Sequence, residues 1–274
     1  MASTQLGLGS FGVAWAIGVP GYEPPAQPMD GLGFIRFADE LGLRLVQIGD
    51  NLPLHSMSEA ERSVLRDEAR ACGVAVEVGT RGIQTEHLRE YMAIARYFGS
   101  PILRVVLDTK DHRPSPEEIV QLVRTVLPEL QAANLTLAIE NHDRFKVSVL
   151  ADILNTLDSP NVGICLDTVN SFGSLEGSEV VVNTLGPYVV NLHAKEFVVQ
   201  RARHMMGFEI TGRPTGQGMM NVPWLLDKLY GFGRSFNAII ETWLPMQVTI
   251  EETLLVEARW VRASVAYLRQ YIKD

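Results

Sequence analysis

Leu135-Thr136-Leu137-Ala138-Ile139-Glu140 is a short aliphatic run that stops on a carboxylate, with Asn141, His142, Asp143 and Arg144 directly behind it. The same grammar recurs three times downstream. Residues 162–166 run into Asp167, residues 189–192 into His193, and residues 238–240 into Glu241. Each run is short and bounded by turn residues, as a buried strand of a parallel sheet is. Each ends in a side chain able to bind a metal.

Working outward, the chain alternates such runs with amphipathic stretches. Strands are expected within 6–17, then over 43–48, 74–78, 102–107, 135–139, 162–166, 189–192 and 238–240, and the starts of strands two to seven lie about 30 residues apart, the length of one βα unit. Helix signals fall between them. Ser58 with Glu61 three residues on forms a capping box, Gly99 stops a helix over 85–98, and Ser115-Pro116-Glu117-Glu118 opens one that runs towards Ala133. Residues 251–271 keep helical spacing through Leu254, Ala258, Val261, Val265 and Leu268. Eight β and eight α segments in alternation predict an α/β fold, a (β/α)8 TIM barrel, with residues 1–274 as one domain. An open doubly wound sheet is the structural alternative.

Side chains alternate faces along a strand. Leu135, Leu137 and Ile139 therefore share one face, and Thr136, Ala138 and Glu140 the other. Likewise Val162, Ile164 and Leu166 oppose Gly163, Cys165 and Asp167. The greasy faces should meet the outer helices, so Glu140 and Asp167 point into the barrel, a placement extended to His193 and Glu241. All four then cluster at the C-terminal ends of strands, where barrel enzymes carry their chemistry. Two glutamates, an aspartate and one imidazole suit one divalent metal ion, Mn²⁺ or Mg²⁺ first and Co²⁺ or Zn²⁺ next. The bland alternative is that each acid merely starts a loop or caps the following helix.

The pieces Ile139-Glu140-Asn141, Cys165-Leu166-Asp167-Thr168, Asn191-Leu192-His193 and Ile240-Glu241 resemble the xylose isomerase-like TIM barrel superfamily. Within it they look most like the sugar phosphate isomerase/epimerase family. The resemblance implies that Glu140, Asp167, His193 and Glu241 ligate one metal and that Glu140 and Glu241 form the acid/base pair. The implied activity is isomerisation or epimerisation of a sugar, sugar acid or sugar phosphate through an enediolate. The alternative is a lyase of the same superfamily, a 3-oxo sugar acid decarboxylase or an inosose-type dehydratase. Two departures from some relatives stand out: Lys146 replaces a glutamate, and Asn170 a histidine. A nuclease like endonuclease IV is more remote, since it needs further His and Asp ligands and a basic DNA face. This chain carries a net charge of −8 and six histidines, so no nucleic-acid partner is expected.

Residues 194–220 show no clear period. Four Lys/Arg stand there against Glu196 and Glu209, so the stretch reads as a lid for an anionic, small polyhydroxy carbonyl substrate. Lys195, Arg201 and Arg213 are candidate contacts, with Lys195 favoured because it shares parity with His193; it could instead pair with Glu140 or Glu241. Asn170, His142, His55, Trp15 and Trp243 complete the candidate set. Glu77 and Arg104 are expected to pair with each other inside the barrel, and His87 and His112 to be solvated. Cys72 and Cys165 form no CxxC, which suits a reducing, cytoplasmic setting. Met1-Ala-Ser-Thr-Gln5 lacks the features of a secretory signal, and no uncharged apolar run reaches about 18 residues, so no membrane contact is expected. A homo-oligomer is compatible with these features.

Overall fold

A computed structural model describes residues 4–273, so Met1–Ser3 of the expected non-signal terminus lie outside the described residues. In chain order the elements are β1 (Leu6–Gly9), α1 (Ala14–Ile17), α2 (Gly31–Glu40), β2 (Leu45–Ile48), α3 (Glu59–Ala71), β3 (Ala75–Arg81), α4 (Thr85–Phe98), β4 (Ile102–Val106) and α5 (Pro116–Ala132). They continue with β5 (Thr136–Glu140), α6 (Val147–Leu157), β6 (Val162–Asp167), α7 (Ser178–Leu185), β7 (Val189–Ala194), β8 (Phe197–Arg201), β9 (Phe208–Gly212), α8 (Val222–Gly231), β10 (Asn237–Ile240) and α9 (Ile250–Leu268). Eight parallel strands close in the order β1-β10-β7-β6-β5-β4-β3-β2, the (β/α)8 barrel expected.

Local chemistry sets the helix ends. Ser58 accepts from the Glu61 amide while the Glu61 carboxylate takes the Ser58 amide, closing the box that opens α3. Ser115 caps α5 with Pro116 at its first position, and Gly99 ends α4 at φ 72°, where a side chain would strain. The outward strand faces, including Leu137, Ile139, Ile164 and Leu166, pack with the helices in one continuous core. Each such buried aliphatic side chain contributes roughly 1.5–3 kcal/mol. A smaller cluster of Ile102, Ala138 and Cys165, with Val190 against it, fills the barrel interior on the opposite face.

β7 does not follow simple alternation. Its register against β6 slips between Ile164 and Cys165, so Ile164 opposes Val189 while Cys165 opposes Asn191. Val190 is the extra residue of this bulge. Val189 and Leu192 consequently both face the outer core, and His193 is turned into the barrel. Alternation counted from Val189 without the slip would have sent His193 outward.

Two segments differ from expectation. The first strand is only four residues long, and the chain then coils into α1, whose Trp15 and Ala16 amides donate to the Glu257 carboxylate at 2.8 and 2.9 Å. The stretch after β7 is an antiparallel hairpin, Phe197 opposite Gly212 and Arg201 opposite Phe208. It escapes detection because its exposed strands mix Gln and Arg with aliphatics, and its turn places Met205, rather than Gly or Asn, at φ 65°.

Burial pushes the Glu257 carboxyl up to about 7, overriding the two amides that favour its charged form. A raised carboxylate stabilises most below its unfolded value and loses that contribution as pH climbs to the folded value. Wild type should therefore lose about 2–3 kcal/mol relative to Glu257→Gln between pH 5 and pH 8. Urea unfolding of both chains in EDTA checks this; parallel pH profiles would contradict it.

Candidate metal centre and active site

Asp167 ends β6, His193 lies in β7, Glu140 ends β5 and Glu241 follows β10, and all four side chains are buried at the C-terminal ends of their strands. His193 Nδ1 is their meeting point. It lies 3.4 Å from Glu140 Oε2, 3.4 Å from Glu241 Oε1 and 3.9 Å from Asp167 Oδ2. Gly9 makes room for Glu241, since a Cβ there would sit 2.9 Å from its Cγ.

The orientation of the imidazole comes from below. His193 Nε2 is 2.7 Å from Gln47 Oε1, an acceptor, so Nε2 carries the proton and the Nδ1 lone pair faces the carboxylates. Gln47 is itself fixed by donating 3.0 Å bonds to Glu77 Oε2 and Asn191 Oδ1. Gln47 escaped the sequence reading, although it sits at an inward position of β2, two residues from Leu45. Gln47→Leu should weaken Mn²⁺ affinity by about 10–100-fold through loss of this orientation. Calorimetric titration with Mn²⁺ measures it, and an unchanged affinity would refute the role.

Each carboxylate has a distinct environment. Asp167 Oδ1 accepts from the Val169 and Asn170 amides, both at 2.8 Å, which aims Oδ2 into the centre. Asn141 ties β5 to β6 by donating to Asp167 O and accepting from the Asp167 amide at 2.7 Å. Glu140 Oε2 receives the Nε of Arg104, and Oε1 receives Asn170 Nδ2 at 2.8 Å. Burial would raise the Glu140 carboxyl, but the Arg104 guanidinium, and beyond it the Lys195 ammonium, holds it well below the usual carboxylate range. Lys195 Nζ lies 2.7 Å from Asp167 Oδ2 and 2.9 Å from Glu241 Oε2. Burial opposes its charge, yet Asp167 and Glu241 raise its pKa, so it stays an ammonium.

The expected Glu77–Arg104 pair does not form. Glu77 instead accepts from Gln47, Asn191 and Asn237 and is pushed up by burial, while Arg104 bridges Glu140 and Asp50. The reason is reach. Gly79 leaves Arg104 room to extend over the interior towards β5.

Lys195 and Asn170 are brought into the centre. Its salt-bridge partners are Asp167 and Glu241 rather than Glu140. The hairpin arginines are held elsewhere. Arg201 stacks 4.4 Å from the Phe208 ring, and Arg213 bonds to Thr211, Gly212 and Gln200. His142 is half-buried beside Asp143, and His55 meets the Tyr91 hydroxyl at 2.8 Å. Trp15 is buried with its indole N–H on Leu244 O, and Trp243 donates to Glu196 O at 2.7 Å, so both brace loops. His87 is half-buried against Thr80 and His112 bonds to Glu118, so neither is simply solvated.

Asp167 Oδ2 and Glu241 Oε2 are buried against the Lys195 ammonium at 2.7 and 2.9 Å, and His193 Nδ1 is buried beside them without a hydrogen bond. Three convergent buried donor atoms, two oxygens and one nitrogen, fit a divalent cation. Glu140 and Cys165 form a second group on His193, so among the described residues both metal-compatible groups share that imidazole.

The chain is 35% identical over 229 residues to a 3-oxo-isoapionate decarboxylase of Pectobacterium atrosepticum, covering 84% of this chain and 83% of that protein. Its backbone superposes on a D-psicose 3-epimerase of Clostridium cellulolyticum with TM-score 0.72, 16% identity, and coverage of 99% and 100%. A xylose isomerase-like TIM barrel protein of Mycobacterium smegmatis, solved in complex with magnesium, superposes with TM-score 0.69 at 12% identity, covering 97% and 98%. No helix among the described residues is long and apolar enough to cross a membrane. A profile of the same superfamily matches residues 16–271, and the chain belongs to the xylose isomerase-like TIM barrel family.

Proposed function

We propose that this chain is a divalent-metal-dependent lyase that decarboxylates a 3-oxo sugar acid through an enediolate. The observation that carries the reading is the state of Glu140. Both its oxygens are bonded, one to Arg104 and one to Asn170, and it is held ionised. Isomerases and epimerases of the enediolate type pass protons between two acid/base groups. Glu140 is poorly suited to that exchange, whereas loss of CO₂ needs only one proton delivered. The 35% identity to a decarboxylase supports the same class.

Asp167, His193 and Glu241, with Glu140, would hold the ion, which when bound supplies Lewis-acid charge at the oxo oxygen. In the reaction the bond from the carboxylate carbon to its neighbour breaks, and that electron pair moves into the adjacent oxo group. CO₂ departs and the carbon takes up one proton. Lys195, fixed as an ammonium, donates a hydrogen bond to the oxygen that gains charge. Glu241 takes up a proton from solvent and passes it to that carbon, while Lys195, 2.9 Å from its Oε2, holds the carboxyl in place. Arg104 keeps Glu140 charged and in place.

A second reading, sugar isomerase or epimerase, is favoured by one observation: Glu140 Oε2 and Glu241 Oε1 stand equally far, 3.4 Å, from His193 Nδ1 and flank one point. The two are separated by incubating Mn²⁺-loaded protein in D₂O with 3-oxo sugar acids, ketoses and sugar phosphates. CO₂ release with one deuterium in the product is expected. Deuterium entering ketoses or sugar phosphates without CO₂ would establish the second reading.

A further inference from the structure

We propose that Arg81 recognises the substrate carboxylate and thereby selects acids over neutral sugars. This rests on the decarboxylase reading, which requires a carboxylate to be seated beside the reacting carbon. Arg81 is the last residue of β3 and shares parity with Glu77 and Gly79, so it occupies the uppermost inward position of that strand. Beneath it the interior is emptied at Gly79, where a Cβ would stand 3.2 Å from Arg104 Cδ. Arg104 therefore passes under Arg81 on its way to Glu140.

A continuous relay links the two arginines to the metal-compatible centre. Arg104 bonds to Glu140 through Nε and to Asp50 Oδ1 through Nη1 at 3.1 Å. The other Asp50 oxygen accepts Arg81 Nε at 2.9 Å, and Arg81 Nη1 donates to Asp108 O at 3.2 Å. Two of the three guanidinium nitrogens are thus anchored, which fixes the plane. Nη2 has no hydrogen bond among the described residues, and the side chain is 36% exposed. One carboxylate, Asp50, is shared by two guanidinium groups, so neither is fully neutralised by it. A rigid, partly exposed guanidinium with a free N–H edge is preorganised for a carboxylate.

Several other cations near the strand ends are committed to protein partners. Arg144 is committed to Asp108 and Pro114 O, Lys146 to Ser174 O, and Arg201 and Arg213 to their own hairpin. Lys195 is held between Asp167 and Glu241.

The test uses the full Mn²⁺-loaded chain with Arg81→Gln and Arg81→Lys. For the 3-oxo acid, Arg81→Gln should raise KM about 30-fold with kcat within about threefold, the loss of one charge-assisted bond. Competitive inhibition by glycerate, a probe carboxylate, should weaken alike, while inhibition by the neutral ketone product should not change. Arg81→Lys should recover part of the loss, because charge remains but the fork does not. Calorimetry of glycerate binding to the metal-free chain reads the same residue without turnover. Unchanged KM and glycerate affinity would overturn the assignment, as would equal weakening towards acid and neutral product. A wild type that releases no CO₂ from any oxo acid overturns the underlying reading instead, and that result is visible before any variant is made.

Discussion

His193→Ala is expected to weaken Mn²⁺ binding by about 10²–10³-fold, beyond the effect of removing its outer partner Gln47. Three carboxylates converge on His193 Nδ1, and that nitrogen is buried without any hydrogen bond. Alanine removes the sole imidazole donor and leaves a void that water can enter. The fold should persist, since Arg104 and Lys195 still offset Glu140, Asp167 and Glu241. Mn²⁺ calorimetry and circular dichroism together measure the effect. Wild-type Mn²⁺ affinity in a folded variant would falsify the proposed centre, and CO₂ release from 3-oxo acids should fall in step with metal occupancy.

Arg104→Met should destabilise the metal-free chain by about 3–5 kcal/mol, the range for removing one partner of a buried ion pair. Its side chain is 4% exposed and Glu140's 1%, so water cannot replace the lost charge. Asp50 keeps Arg81, which limits the damage on that side. The double variant Arg104→Met with Glu140→Leu should recover a large share of the loss, because no orphaned charge then remains. Urea unfolding at pH 7 in EDTA provides the measurement. If the single and double variants were equally destabilised, the cost would lie in packing rather than in charge.

The barrel was legible because its signals are local. Aliphatic runs at regular intervals, the Ser58 and Ser115 caps and the Gly99 stop each arise from nearest-neighbour chemistry, and each forms as expected. Glu140 and Asp167 were placed by alternation alone, since β5 and β6 are regular through their last residue. The hairpin was not legible, because an exposed two-stranded sheet needs no apolar face and its turn lacks the usual glycine.

By itself, then, the amino-acid sequence determined the parallel βα order and which residue types stand at the strand ends, because both follow from periodicity and capping within each segment. Tertiary structure decided the rest. The bulge at Val190, set by packing of β7 on β6, is what turns His193 inward. Pairing of Arg104 with Glu140, of Lys195 with Asp167 and Glu241, and of Gln47 with His193 depends on distances across a closed barrel. Those contacts join residues up to 146 positions apart, so no local pattern encodes them. They make Leu135–Glu140 one wall of a charged centre whose glutamate is clamped rather than free.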